Sequence, residues 1–310
     1  MISIHKGDAR QVLRILPDQS VDCCVTSPPY FGLRDYGNDD QIGLEQTPEK
    51  YVEALVDVFR GVRRVLRDDG TAWLNLGDSY CNSNGFARAS ADYQREGRNN
   101  APSNDRNLKY LHASGFKTKD LIGIPWRVAF ALQADGWYLR QDIIWNKPNP
   151  MPESVQDRCT KAHEYIFLLS KSPRYYFDND AIKEEAQDWG ERDRASGKYH
   201  NDGSGLSPRS AFEKSYETKN KRSVWTVSPK PFKEAHFAVY PPELIEPCIL
   251  AGCPEGGTVL DPFGGSGTTG LVADRFNRNS ILVELNDDYV QIAKDRIKQD
   301  GGMFGDLEVK

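Results

Sequence analysis

The chain has no apolar run near the roughly 18 residues that a membrane-crossing helix needs, so no membrane partner is expected. Its opening residues, Met1-Ile2-Ser3-Ile4-His5-Lys6-Gly7-Asp8, lack the basic and apolar regions of a secretory signal. Cysteine is sparse: Cys23, Cys24, Cys81, Cys159, Cys248 and Cys253, with no C-x-x-C pair. Without export a disulfide framework is not expected. A four-ligand zinc site would need Cys159, His163, Cys248 and Cys253 to converge; buried thiols are the better reading, and no metal is expected. Basic charge is also short: 40 Lys and Arg against 45 Asp and Glu give a net −5. Taken alone, that balance argues against a nucleic-acid binder, which usually carries a basic footprint. There is no internal repeat and no long low-complexity tract.

What is present suits a folded chain of one large domain or two ordinary ones: 310 residues, 38% hydrophobic and 11% aromatic. Strand and helix patterns alternate, the mark of an α/β fold. Residues 20–26 (SVDCCVT) read as a strand ending at a double proline. Thr47-Pro48-Glu49 reads as an N-cap, a first-turn proline and an acidic first turn. Tyr51, Leu55, Val58, Phe59, Val62 and Leu66 follow at helical spacing, with Gly70 as the stop and a strand at 71–76. Further strands are expected near 2–4 and at 137–145, 163–169, 258–260 and 280–284. Further helices are expected at 121–134, 242–252, 267–276 and 286–299. Two irregular stretches, 82–119 and 184–222, interrupt the rhythm, and segments that long inside a domain are functional loops or disordered. Within them, 83–119 and 194–222 each hold seven positive residues against three negative ones. The charge of −5 is thus an average, and a basic cleft on an acidic body is expected.

Asp261-Pro262-Phe263-Gly264-Gly265-Ser266-Gly267-Thr268-Thr269-Gly270 follows a strand and opens a helix. Gly265, Gly267 and Gly270 fit G-x-G-x-x-G, and Glu284 stands 19 residues beyond Gly265 at a strand end. Such glycines let the backbone approach a ligand beside a helix N-terminus. Read literally this is a dinucleotide fingerprint. Position speaks against it, because only one strand and one helix come after it. The missing strands must come from the N-terminal part of the chain, so the sheet is circularly permuted. The second signal is Thr26-Ser27-Pro28-Pro29-Tyr30, at the end of the first long strand. Two prolines fix φ and remove two donors, leaving the preceding carbonyls rigidly aimed. A hydroxyl and an aromatic ring flank them. Acceptors beside a stacking face suit a planar heterocycle with an exocyclic NH2; a sharp surface turn is the plainer alternative.

Together the two motifs resemble the S-adenosylmethionine-dependent DNA amino-methyltransferases, in the permuted arrangement where the catalytic motif precedes the cofactor motif. The likeness runs through most of the chain. It includes Gly7-Asp8, Ser20-Val21-Asp22, Trp145-Asn146-Lys147-Pro148, His163-Glu164-Tyr165-Ile166-Phe167, His236-Phe237-Ala238-Val239-Tyr240-Pro241 with Leu244-Ile245, and Ile281-Leu282-Val283-Glu284 with Tyr289. The resemblance implies a single Rossmann-like class I domain, with a seven-stranded, mostly parallel sheet, one reversed strand and inserted DNA-recognition loops. Residues 1–183, with the insert 82–119, would form the catalytic half; 184–223 the target-recognition region; and 224–310 the cofactor half. Asp261, Phe263, Gly265 and Gly267 would surround the methionine part of the cofactor. Thr268 and Thr269 would bind its carboxylate, Glu284 the ribose hydroxyls and Asp8 the adenine amine, with Thr26 beside them. Ser27, Pro28, Pro29 and Tyr30 would be catalytic, and Arg209, Lys219, Lys221 and Arg222 would meet DNA.

The implied reaction moves a methyl group to an exocyclic amine of a flipped base in double-stranded DNA, with N4 of cytosine favoured over N6 of adenine. A carbon-5 cytosine enzyme would need a nucleophilic cysteine; Pro247-Cys248 lies in a helical pattern and reads as core. An RNA or protein methyltransferase, a NAD-dependent oxidoreductase and an inactive DNA-binding module are the competing readings. The resemblance leaves open a cognate restriction endonuclease and a homodimer. It implies a cytoplasmic, nucleoid-associated enzyme of bacterial, archaeal or phage origin.

Overall fold

The computed structural model describes residues 1–32, 41–81, 114–186, 217–230, 239–301 and 307–310. Most of both irregular stretches, and Arg209, His236, Phe237 and Ala238 with them, lie outside the described residues.

In chain order the elements are β1 (Ile2–Lys6), α1 (Ala9–Ile15), β2 (Val21–Thr26), α2 (Pro48–Val65), β3 (Leu66–Leu76), α3 (Ile124–Ala134), β4 (Tyr138–Asn146) and β5 (His163–Ser170). Then come β6 (Glu184–Glu185), β7 (Thr218–Lys219), β8 (Val224–Thr226), α4 (Pro242–Gly252), β9 (Thr258–Asp261), α5 (Thr268–Arg275), β10 (Asn279–Glu284), α6 (Asp287–Gly301) and β11 (Leu307–Val309). One sheet runs β11-β1-β10-β9-β2-β3-β5-β4-β8. Within it β5 alone is antiparallel to its neighbours. The seven expected strands are its inner seven. β8 and β11, three residues each, extend the edges and are too short for sequence periodicity to reveal.

Both faces of the middle of the sheet are covered, so its central strands are largely apolar on both sides. Along β2, Cys24 packs with α1, α2 and α3, while Cys23 and Val25 pack with α4, α5 and α6; Val21 joins Cys24's side because the register shifts between Val21 and Cys23. α2 begins as expected, with the Thr47 hydroxyl accepting from the Lys50 amide at 3.3 Å. Its stripe of Tyr51, Leu55, Val58, Phe59 and Val62 is fully buried. It ends four residues earlier than the glycine signal suggests. Leu66 takes extended geometry and pairs with Val21. Gly70 lies inside β3, where a Cβ would stand 3.0 Å from the Asp22 carbonyl; it marks a close strand contact, not a helix stop. α1 is a helix that sequence periodicity does not single out; Asp8 caps it, accepting from the Arg10 and Gln11 amides.

Chain direction then fixes the site. From β9 the chain passes through α5 to β10 on one side of the sheet; from β2 it passes through α2 to β3 on the other. β9 and β2 are neighbours, so a crevice opens between the carboxyl ends of the two strands where the winding reverses. The reversed strand β5 brings its first residues, His163 and Glu164, to that same end.

α4 meets the sheet closely at its last residue. A Cβ on Gly252 would lie 2.5 Å from Trp73 Nε1 and 2.8 Å from Cys23 Sγ. Gly252→Ala should therefore cost about 1–3 kcal/mol, the usual penalty of overpacking. Thermal unfolding would read this as a drop of several degrees in the midpoint; an unchanged midpoint would mean that the helix can lift without cost.

Candidate active site

The glycine-rich turn is built around Asp261. This carboxylate is buried, and its Oδ1 accepts from the Thr26 hydroxyl at 2.6 Å and the Phe263 amide at 3.0 Å. Its Oδ2 accepts from the Tyr240 hydroxyl at 3.0 Å and from the Thr269 hydroxyl. Burial pushes the Asp261 carboxyl above its ordinary range, and these donors work against that shift. Gly267 turns into α5 with φ +77°, and a Cβ there would lie 2.9 Å from that of Ala293 on α6. Arg296, also on α6, donates to the Ser266 and Thr268 hydroxyls at 2.9 and 2.7 Å. Glu284 closes the turn by accepting from the Gly265 and Asn286 amides, each at 2.8 Å.

Across the crevice, the Tyr51 hydroxyl donates to the Pro29 carbonyl at 2.9 Å. Among the described residues no hydrogen bond reaches the Pro28 carbonyl. The Tyr30 hydroxyl donates to Glu164 Oε2 at 2.6 Å, with Asn75 Oδ1 at 3.1 Å. Its single proton belongs on the charged acceptor. Burial and the Glu164 carboxylate push the Tyr30 phenol well above its ordinary value, while a hydrogen bond from Ser27 acts in the opposite direction. A Ser27 proton turned toward Tyr30 leaves the serine oxygen's lone pairs as acceptors. The Tyr30 ring fits because residue 77 is glycine; a Cβ there would lie 2.5 Å from the ring.

These two turns form one cavity of about 330 Å³. Its wall includes Asp8, Ser27, Pro28, Pro29, Tyr30, Phe263, Gly265, Thr268 and Glu284, all expected at the site. Thr26, Asp261, Gly267 and Thr269 are not on the wall. They stand one layer behind it, because their polar atoms or tight packing hold the turn together. The hydroxyls of Thr268 and Thr269 are engaged by Arg296 and Asp261. Asp8 is a helix cap as well as a wall residue, and Arg10 grips both its oxygens. Burial works to raise the Asp8 carboxyl, but Arg10 and the two amides outweigh it and leave the carboxyl below its ordinary value. The wall also holds Asn75, Trp145, Lys147, Glu164 and Tyr240. The sequence motifs contained some of these but gave none a role; only the reversed direction of β5 brings Glu164 to the catalytic end. Lys219, Lys221 and Arg222 are not on the wall. Lys221 and Arg222 pair with Glu184 at the foot of the second insert, whose ends are joined by the β6–β7 ladder. Cys248 is buried in α4, as the core reading expects.

A family model described as DNA methylase, of the N6 and N4 type, matches residues 21–295. The chain belongs to that family. The methylase is 49% identical over 291 residues to the type II methyltransferase M.SmaI of Serratia marcescens, covering 94% of this chain and 89% of the relative. It is 49% identical over 296 residues to M.Cfr9I of Citrobacter freundii, covering 96% and 87%. The structure of a DNA modification methylase of Thermus thermophilus, complexed with S-adenosyl-L-methionine, matches at 25% identity with a TM-score of 0.63, over 100% and 98% of the two chains. The cytosine-N4-specific PvuII methyltransferase has the same fold: TM-score 0.63, 19% identity, 99% and 94% coverage. These findings set aside the dinucleotide reading of the glycine turn.

The methylase uses S-adenosylmethionine as cofactor. The residues present fit it. A Cβ on Gly265 would meet only the Phe263 carbonyl, at 3.9 Å, so that glycine faces open cavity. Glu284 and Asp8 set two acceptor groups on the same wall. Burial raises the Glu284 carboxyl above its ordinary range, against the pull of the Asn286 and Gly265 amides. Glu284 therefore gains its proton earlier than an exposed glutamate as pH falls, and loses acceptor capacity. Binding of S-adenosylhomocysteine should weaken as pH drops toward the carboxylate range. Glu284→Gln should bind about tenfold or more weakly at neutral pH, with that acid limb flattened, by calorimetric titration. An acid limb retained in the variant would assign it to another group.

Proposed function

We propose that this DNA methylase methylates N4 of cytosine, in a duplex site from which the base is flipped into the crevice. The Ser27–Pro28 cradle beside Tyr30 carries the reading. An aromatic amine is a poor nucleophile, because its lone pair is delocalised into the ring. The Ser27 oxygen and the Pro28 carbonyl, neighbours on the cavity wall, are two acceptors for the N–H bonds of such an amine. Holding them favours a tetrahedral nitrogen and stabilises the positive charge that develops there. S-adenosylmethionine, when bound, supplies an electrophilic methyl group. Tyr30, fixed by Glu164 and Gly77, presents its ring as the stacking face. The common wall of the two turns provides proximity and alignment. The resemblance of Ser27-Pro28-Pro29-Tyr30 to the family's motif supports cytosine; N6 of adenine is the second reading, since its amine also sits beside a ring nitrogen and a serine hydroxyl can serve either.

Nucleosides from DNA methylated by the enzyme should contain N4-methylcytosine by mass spectrometry; N6-methyladenine alone would overturn the choice. Ser27→Ala should lower kcat about 10²- to 10³-fold, as loss of one preorganised hydrogen-bonding group does, while binding S-adenosylhomocysteine as before.

The second insert, with Arg209, Lys219, Lys221 and Arg222, is the region we assign to target recognition. Replacing Lys219, Lys221 and Arg222 by Ala should weaken DNA binding and flatten its salt dependence in titrations at several salt concentrations. Unchanged binding would move recognition to the insert at 83–119. The type II naming of the relatives supports a cognate restriction endonuclease as partner.

A further inference from the structure

The wall opposite the glycine turn carries a charged group that the transfer step leaves unused. Lys147 follows β4, and its ammonium pairs with Glu164 Oε1. It also lies 4.1 Å from the centre of the Trp145 ring. Both partners of the pair are mostly enclosed, with side-chain exposures of 19% and 15%. Glu164 is held on its other oxygen by Tyr30 at 2.6 Å and Asn75 at 3.3 Å. The Lys147 backbone is fixed as well, its amide donating to the Ala162 carbonyl at 2.8 Å. Two charges are thus withdrawn from water at the edge of the base cradle. Such a burial is a weak device for stability alone, because desolvation offsets the attraction.

An ammonium has three N–H groups and accepts nothing. One is committed to Glu164, and the indole face holds the cation in place. The remaining capacity belongs to a wall shared with Ser27, Pro28 and Tyr30. A cytosine whose N4 lies in the cradle carries two acceptors on the same edge, N3 and then O2. We propose that Lys147, aimed by Glu164 and Trp145, reads the acceptor edge of the target base by donating to N3 of cytosine. Thymine and guanine present an N–H at the corresponding ring position and would meet a cation with a donor. This rests on the cytosine reading above. The contact holds the base and touches no atom whose bonds are made or broken, so its loss falls on KM for DNA more than on kcat.

The test compares duplexes carrying cytosine or 3-deazacytosine at the target; the analogue keeps the amine and replaces N3 by C–H. Wild-type enzyme should show a KM about ten- to a hundredfold higher on the analogue, the range for a hydrogen bond to a charged group. Lys147→Met should show nearly equal KM values on the two duplexes. Retention of the full analogue penalty in that variant would overturn the assignment, as would a wild-type enzyme indifferent to the analogue. Thermal unfolding and S-adenosylhomocysteine titration establish that the variant is folded. Should it not fold, Lys147→Ala takes its place with the same two outcomes: nearly equal KM values on the two duplexes support the contact, and the full analogue penalty overturns it. Glu164→Gln keeps the lysine but loosens it, and should give a penalty between wild type and Lys147→Met. Failure of the cytosine reading itself is distinguishable, because wild-type enzyme would then yield no N4-methylcytosine on the unmodified duplex.

Discussion

One carboxylate joins the two halves of the active site. Asp261 ends β9, and Thr26 ends β2; the hydrogen bond between them, 2.6 Å long, spans 235 residues of sequence. On the next residue begins the Ser27-Pro28-Pro29-Tyr30 turn, and two residues beyond Asp261 comes Phe263 of the glycine turn. The same carboxylate takes the Phe263 amide and the hydroxyls of Tyr240 and Thr269. A buried carboxylate is tolerable only when such donors replace its water, and four do. The consequence is geometric: the Ser27–Tyr30 turn and the glycine turn are tied to one carboxylate. In a direct transfer, where alignment supplies much of the acceleration, that coupling is what the chemistry requires.

Much of this was legible in the sequence because it is local. The Pro-Pro turn, the Thr47–Pro48 helix start and the glycines of 264–270 declare their backbone shapes through φ restrictions and capping chemistry. The seven inner strands were legible through apolar runs, and their permuted origin through the single strand and helix left after the glycine turn. The limits were equally physical. Gly70 looks like a helix stop, yet it serves a close strand approach that only the fold reveals. β8 and β11 exist because the sheet edges have free backbone groups to pair, not because three residues carry a pattern. Glu164 reads as one polar residue before an apolar strand; its place beside Tyr30 depends on β5 running backwards. Asp8 shows a different limit, since one side chain serves as helix cap, ion-pair partner and cavity wall.

The cavity is chemically divided along the β9–β2 seam. At the glycine turn and the start of α1 the wall offers carboxylates, Glu284 and Asp8, tied to backbone amides or an arginine. At the Ser27–Tyr30 turn it offers a carboxylate locked to a lysine, Glu164 with Lys147. On the function proposed above, hydroxyl- and amine-bearing groups of the cofactor meet acceptors, while a pyrimidine edge with its own acceptors needs a donor. The net charge of −5 says nothing of this division. A lysine paired with Glu164 at one end of the cavity, and the carboxylates Asp8 and Glu284 at the other, leave no trace in a chain-wide sum.

The permuted chain order is harmless for the same reason that the seam works. What positions the cradle is the pairing of Cys23 and Cys24 in β2 with Val259 and Leu260 in β9, and the Thr26–Asp261 bond at its end. None of these depends on which strand comes first along the chain. A fold whose site lies between neighbouring parallel strands can be reconnected at its far ends while the strand neighbours stay in place. Its reaction is set by which turns leave the two central strands, and here those turns are Ser27-Pro28-Pro29-Tyr30 and Pro262-Phe263-Gly264-Gly265.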